Sequence, residues 1–239
     1  MSAEAPLFNP IAALYERYAD INDEVYRPYL EAALPAAGNR AVDLGCGSGR
    51  FTGLLADRYG YVLAVDIADR EIDIAVRKRA RPNITYRAAD LLDVTPDRHG
   101  RFDVVLSVNA LFNLFRDHDP DRVLRHVRSL VAPGGTAVIV DVVSARSRSA
   151  LRHRWWGVED AARTFGRRGS AAAAWTVLRL RQHPVWMRHA RTNRSLTRDA
   201  FHERCSAVFP GARFDDRLDR FVCAVSWLNA GGGPLPASA

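Results

Sequence analysis

The sequence predicts an α/β fold: a doubly wound sheet of about seven strands, mostly parallel, with an antiparallel closing strand and a helical cap. Three observations predict it. Short apolar runs alternate with helix-periodic segments between residues 40 and 143, and such alternation gives right-handed crossovers and parallel pairing. Several runs end at Gly, Asp or Asn, the punctuation expected where a strand opens into a loop. Residues 104–108 and 137–140 are near-continuously apolar, as strands covered on both faces are.

The elements follow in order. Residues 1–9 read as a frayed lead-in. Two amphipathic helices are expected over 11–19 and 22–34, ended by Pro35 and Gly38. Strand 1 covers 40–44 and a helix runs over 49–59 with Phe51, Leu54 and Leu55 facing inward. Strand 2 covers 61–65 and closes on Asp66. Asp69 is placed to cap a helix reaching Arg79, which frees Asp66 for another task. Strands at 84–88 and 102–108 follow, closing on Asp90 and Asn109. Asp119 caps a helix to Leu130, and Pro133-Gly134-Gly135 turns the chain into a strand over 136–143.

Beyond Val143 the rhythm breaks. Residues 144–195 hold Trp155, Trp156, Trp175 and Trp186, an alanine run at 171–174 and many arginines. A helix over 171–182 is stopped by His183-Pro184. Thr197 caps a helix over 198–208, and strands over 212–218 and 221–227 close the sheet. The expected organisation is a helical cap (1–39), a ligand-binding core (40–143), an inserted helical lid or acceptor region (144–195), the closing elements (196–229) and a disordered tail (230–239).

Composition narrows the function classes. The chain has 239 residues, 48% of them hydrophobic, enough for one core. No apolar run is long enough to span a bilayer and no secretory leader is evident, so a cytoplasmic protein is expected. Cys46, Cys205 and Cys223 are odd in number and widely spaced, with no Cys-x-x-Cys pair. A disulfide framework and a zinc site are therefore not expected, and the metal expectation is none. The net charge of +7 comes almost wholly from arginine, since Lys78 is the one lysine. That pattern fits a GC-rich genome as well as a polyanionic partner.

The segment Asp43-Leu44-Gly45-Cys46-Gly47-Ser48-Gly49 is the chemically informative one. Glycines between a strand and a helix permit positive φ and close backbone approach to a ligand. The dinucleotide fingerprint G-x-G-x-x-G is not met, because Arg50 follows Gly49. An acid ahead of the loop would repel a pyrophosphate and suits a ligand carrying an ammonium group.

These residues resemble the first motif of the class I S-adenosylmethionine-dependent methyltransferases, in their small-molecule and ubiquinone-biosynthesis-like branch. The resemblance implies a Rossmann-like fold and S-adenosyl-L-methionine as cofactor. It implies cofactor contacts at Asp43, Gly45, Cys46, Gly47 and Gly49. Asp66, with Ile67 beside it, corresponds to the acid that binds the two ribose hydroxyls, a vicinal diol that one carboxylate can accept from. Asp90 and Leu91 correspond to the adenine region, and Asn109 to the methionine portion. Pro133-Gly134-Gly135 is also family-like. The likeness spans roughly residues 40–143, with a looser match of Tyr15, Tyr18 and Tyr26 to the capping helix.

Methyl transfer from a sulfonium is an in-line displacement, so alignment and water exclusion are the protein's main tasks. A phenol or alcohol acceptor would also need a base. The candidates are His118, Tyr18 and His153, and the acceptor-binding candidates are Tyr15, Asn113, Trp155 and Trp156. Acids are missing after strand 4, so a metal-assisted catechol mechanism is disfavoured. Neither Asn-Pro-Pro-Tyr, nor a Pro-Cys nucleophile, nor a Lys-Asp-Lys-Glu set occurs. The sequence therefore points to a small-molecule acceptor, aromatic or polyketide-like, in secondary metabolism, methylated at O, N or C by a monomer or homodimer. The alternatives are an RNA or tRNA methyltransferase using the basic 144–195 segment, and a non-catalytic cofactor-binding protein. In the first reading the lid tryptophans pack inward.

Overall fold

The computed structural model describes residues 11–144, 149–192 and 195–231, so the expectations for residues 1–9 and most of the tail lie outside the described residues. Seven strands form one sheet in the order β3-β2-β1-β4-β5-β7-β6. They are β1 (Gly38–Leu44), β2 (Tyr59–Asp66), β3 (Ile84–Ala88), β4 (Phe102–Val108), β5 (Val131–Val142), β6 (Arg213–Asp219) and β7 (Val222–Leu228). β7 runs antiparallel between β5 and β6, and the other pairings in the sheet are parallel. The doubly wound sheet with one antiparallel closing strand is thus as the sequence predicts.

The pleat sorts the core. Val42, Leu44, Leu63, Val65, Val105 and Ile139 face one side. There they meet α6 (Pro120–Ser129) and α10 (Arg198–Val208). Ala41, Val62, Val104, Leu106, Val138 and Val140 face the other side. That side is covered by α1 (Ala12–Ala33) and α2 (Thr52–Ala56). α3 (Asp69–Arg79) follows β2, and the β3–β4 link holds only a short turn at Leu91–Asp93 and α4 (Pro96–His99). α5 (Leu111–Leu114) follows β4. Among the described residues no helix is long and apolar enough to cross a membrane.

Several local expectations are corrected. The two N-terminal helices are one, α1, with Pro28 inside it. The acids that suggest a break are an ion-pairing face: Glu16, Asp20 and Asp23 all reach Arg50, at 2.7, 2.5 and 3.1 Å. The helix after the glycine loop is only α2, because residues 45–51 stay in turns. Asp69 does not cap α3. The cap position is Ala68, whose N–H donates to Asp66 Oδ1 at 2.9 Å. Asp119 and Thr197 do cap their helices. Pro133-Gly134-Gly135 lies inside β5 as an irregularity in its pairing with β4.

Within 144–195 the described residues hold three helices, α7 (Ala150–Arg168), α8 (Ala171–Gln182) and α9 (Pro184–Thr192). Ser149 and Ser170 cap α7 and α8, and Gly169 ends α7 with φ +62°. His183-Pro184 ends α8 but also starts α9, since proline suits a first helical turn. Ala161, Ala173, Val177 and Leu180 pack with Ile11, Tyr18 and Ile21 of the N-terminal segment into a separate core. The tryptophans do not all point inward. Trp155 and Trp175 are 63% and 60% exposed, whereas Trp156 lies against Phe221 and His153.

One buried acid sets a pH dependence. Asp141, at the end of β5, is 1% exposed, and its Oδ2 has no hydrogen-bond partner. Burial pushes its pKa up to about 8. Its folded form therefore holds a proton that the unfolded chain loses near pH 4, so stability falls as pH rises between those values. Asp43, raised to about 7 by burial, has the same sign. His126, lowered by burial, has the opposite sign: its contribution is lost as pH falls below the ordinary imidazole range. The difference between wild type and Asp141→Asn isolates the effect. The variant should gain roughly 3–6 °C in Tm relative to wild type on going from pH 5 to pH 8.5. Parallel pH profiles in a thermal-melt series would count against it.

Candidate cofactor and acceptor site

The glycine loop stands where β1 ends, between β2 and β4. Gly45, Gly47 and Gly49 have φ of +75°, +51° and +78°, a region that costs side-chain-bearing residues energy. Space reinforces this. A Cβ on Gly45 would stand 2.2 Å from the Ala110 Cβ, and one on Gly49 would stand 2.6 Å from the Tyr86 hydroxyl. Gly47 is different, because its nearest neighbour would be Glu71 Oε2 at 3.9 Å. Its Cα side is open, as a cradle for a ligand would be. The N–H groups of Gly45 and Cys46 both donate to Val65 O, at 2.8 and 2.9 Å, tying the loop to β2.

Asp66 completes that tie. Its Oδ2 accepts from the Gly47 N–H at 2.9 Å while Oδ1 accepts from Ala68. Each carboxylate oxygen can accept again. Desolvation raises its pKa, and the amides of Ala68, Gly47 and Ile67 pull it back. Next to it the Ile67 side chain is 57% exposed, an uncovered apolar surface of the kind a heteroaromatic ring would shield. Asp90 accepts from the Leu92 N–H at 2.9 Å and caps the turn that holds Leu91, itself 7% exposed.

Asp43 is less open than its place in the motif suggests. It is 2% exposed and accepts from Thr52 Oγ1 at 2.6 Å. It lies under the loop, and any cation it favours is held from behind the loop's backbone. Cys46 is equally enclosed, and burial pushes its thiol well above the ordinary range. It is not a nucleophile.

Asn109, at the mouth of β4, has φ +54°, the one positive value at a non-glycine among the described residues. Its Nδ2 is 3.5 Å from the Tyr26 hydroxyl, and its buried Oδ1 has no hydrogen-bond partner. An orphaned buried acceptor beside a strained backbone is what a donor-bearing ligand would satisfy. The open Gly47, the spare lone pairs of Asp66, the bare Ile67 and the orphaned Asn109 oxygen together fit an adenosyl amino acid.

α1 carries the site toward the lid. Tyr15, Tyr18 and Tyr26 recur on one helical face. Tyr15 and Tyr18 meet Trp186 of α9, with ring centroids 6.1 and 5.7 Å away. Burial raises the Tyr18 and Tyr26 phenols, so neither is a general base near neutral pH, whereas Tyr15 is 36% exposed. Beside Tyr18 lies Arg181, which sequence reading did not single out. Its guanidinium carbon is 5.5 Å from the Tyr18 and Trp186 ring centres and 5.6 Å from that of Phe221. It pairs with buried Asp160 at 3.2 Å, while its Nε has no hydrogen bond. A cavity of about 10 Å³, room for one water molecule, is lined here by His153, Trp156, Asp160, Arg181, Trp186 and Phe221, among others, so an acceptor can enter only if this wall parts.

The structure therefore brings His153 and Trp156 together, with Tyr18 and Tyr15 alongside. It does not bring the other candidates there. Trp155 does not line that cavity. Asn113 is exposed on α5, and His118 lies past the end of that helix with its N–H on Leu114 O at 2.8 Å. Arg181 is one of a dozen arginines between residues 144 and 195, with nothing local to mark it.

Known proteins give the family. A family model described as a methyltransferase domain matches residues 41–135. An uncharacterized methyltransferase of Mycobacterium tuberculosis is 33% identical over 165 residues, covering 66% of this chain and 82% of that protein. A ubiquinone biosynthesis O-methyltransferase of Coxiella burnetii is 30% identical over 109 residues, 45% of each chain. In fold the chain is similar to the N-methyltransferase NodS from Bradyrhizobium japonicum (TM-score 0.52, 16% identity, 90% of this chain and 97% of that one). It is likewise similar to the DhpI–SAM–HEP complex (TM-score 0.50, 22% identity, 95% and 99%). With a cradle for an adenosyl amino acid and a relative matched over most of its length, the chain belongs to the class I S-adenosylmethionine-dependent methyltransferases.

Proposed function

We propose that the protein methylates a small aromatic or polyketide-like acceptor that seats between Asn109 and the aromatic wall of the lid. The observation that carries this reading is the placing of Tyr15, Tyr18 and Tyr26 on one face of α1, with Tyr26 at Asn109 and Tyr15 and Tyr18 at Trp186 and Arg181. Flat aromatic walls favour a planar acceptor. The unpartnered Nε of Arg181 offers a donor to an anionic or carbonyl group on it. Relatives support the class: one is named for ubiquinone biosynthesis, and similar folds include the plantazolicin methyltransferase BpumL and the CurJ carbon methyltransferase.

When bound, the cofactor supplies an activated methyl group on a positively charged sulfur. The chain's own residues do the rest. In this reading Asp66 accepts from the ribose diol, Ile67 and Leu91 border the adenine, and the Asn109 oxygen takes a donor from the amino-acid end. The open backbone at Gly47 seats that end, with Asp43 buried beneath it. Tyr18, Trp156 and Trp186 orient the acceptor and exclude water. His153, at the cavity wall, is the residue able to take a proton from a phenolic acceptor.

A second reading rests on one observation. The outer face of α7 exposes Leu151, Trp155, Val158 and Phe165, with Trp175 of α8 also exposed and Arg152 and Arg154 alongside. Stacking aromatics among arginines can hold single-stranded RNA. A tRNA gel shift across a salt series decides it, and absence of salt-sensitive binding removes this reading.

Two measurements test the first reading. Asp66→Asn should weaken S-adenosylhomocysteine binding in calorimetry by roughly 10- to 100-fold, one or two hydrogen bonds to a charged acceptor. Asp69→Asn should leave it within about threefold. Equal affinities in wild type and Asp66→Asn would show that the sugar is held elsewhere. Removing Arg181 alone would leave buried Asp160 with only its 3.2 Å contact to the half-exposed Arg163, so the pair is exchanged together. Asp160→Asn with Arg181→Met should lower kcat/KM for a phenolic carboxylate acceptor at least tenfold while keeping cofactor affinity. Unchanged transfer to such acceptors would place the acceptor outside the lid cavity.

A further inference from the structure

The C-terminal hairpin and the helix before it gather three ligand-type atoms outside the site described above. β6 and β7 slip out of register between Asp215 and Asp219, so Asp216 lies where the ladder is irregular. Its carboxylate meets Cys223 of β7 and His202 of α10. Cys223 Sγ is 3.0 Å from Asp216 Oδ1 and 3.3 Å from His202 Nε2, and His202 Nε2 is 3.1 Å from Asp216 Oδ1. The His202 ring stacks on Phe214, centroids 4.2 Å apart and planes 20° apart, which fixes its orientation. Arg198 pairs with Asp216 at 2.5 Å.

We propose that Cys223, His202 and Asp216 form a three-ligand site for a borderline-soft divalent cation of the Zn²⁺ type, with a fourth position open to water. One sulfur, one imidazole nitrogen and one carboxylate oxygen are the donors such an ion takes. The spacing suits it. Ligands bonded at about 2.0–2.3 Å in a tetrahedron lie roughly 3.4–3.6 Å apart, so these atoms need to separate by only about 0.3–0.6 Å. Access is one-sided: Cys223 is fully buried, while the His202 and Asp216 side chains are 34% and 39% exposed. Arg198 Nη1 now sits on the same Oδ1; on binding it shifts to Oδ2 and becomes the outer partner that holds the carboxylate in place.

Without the ion the cluster is a set of hydrogen bonds on Asp216, with the thiol proton donated to the carboxylate. On binding, the S–H bond breaks, the sulfur pair forms the metal–sulfur bond, and the proton leaves to the buffer. Widely spaced cysteines hide this arrangement from reading along the chain. It is made by the hairpin and α10 meeting at the sheet edge.

The test uses the full chain, stripped with chelator and titrated with Co²⁺. The expected result is a thiolate-to-cobalt charge-transfer band that saturates at one equivalent and is displaced by Zn²⁺, with Zn²⁺ also raising Tm. Cys223→Ser should abolish the band. His202→Gln and Asp216→Asn should each weaken binding at least tenfold, and Cys205→Ser should leave it unchanged. No band in the wild type, or a band untouched by these variants, would overturn the site and leave a hydrogen-bonded cluster only. His202→Gln and Asp216→Asn change half-exposed side chains, so they decide the matter even if Cys223→Ser does not fold. None of these readouts depends on methyl transfer.

Discussion

One carboxylate organises the binding end of this protein. Asp66 accepts the Gly47 N–H with one oxygen and the Ala68 N–H with the other. The first bond fixes the glycine loop that leaves β1, and the second fixes the start of α3 behind β2. A glycine loop has many accessible conformations, and this acid, with the two amides on Val65 O, selects one. The tight approaches of Ala110 and Tyr86 to Gly45 and Gly49 depend on that choice. The geometry that faces a ligand is therefore set by β2, one strand away from the loop itself.

Much of this is legible in the sequence because buried parallel strands are short, apolar and sharply ended. β3 and β4, α3, α8 and α10 fall at their expected residues, each bounded by a proline, glycine or capping side chain. The motif acids are legible for a similar reason: they stand at strand ends. What local pattern cannot show is which partner a side chain finds. Asp20, Asn22 and Asp23 suggest a break in α1, yet the two acids serve Arg50 across the molecule. Asp69 suggests a cap, yet Asp66 reaches that turn first.

The lid shows the limit more strongly. Its tryptophans are conspicuous in composition, but composition carries no direction. Trp156 and Trp186 face the cavity, while Trp155 and Trp175 face solvent. Arg181 has a single ion-pair partner and three aromatic neighbours from three separate parts of the chain, so no window of sequence contains its environment. Asn109 was named for its place at a strand end. Its positive φ and orphaned oxygen emerge only from the packing of β4 against α1.

Arg50 joins floor and roof in a way that constrains traffic. It follows directly on the last loop glycine, is 11% exposed, and grips acids spread over two turns of α1. α1 is thereby riveted to the bed on which an adenosyl group would lie. Swinging that helix outward would break three charge contacts at once and disturb the bed itself. Any displacement of α1 would therefore be felt at the glycine loop.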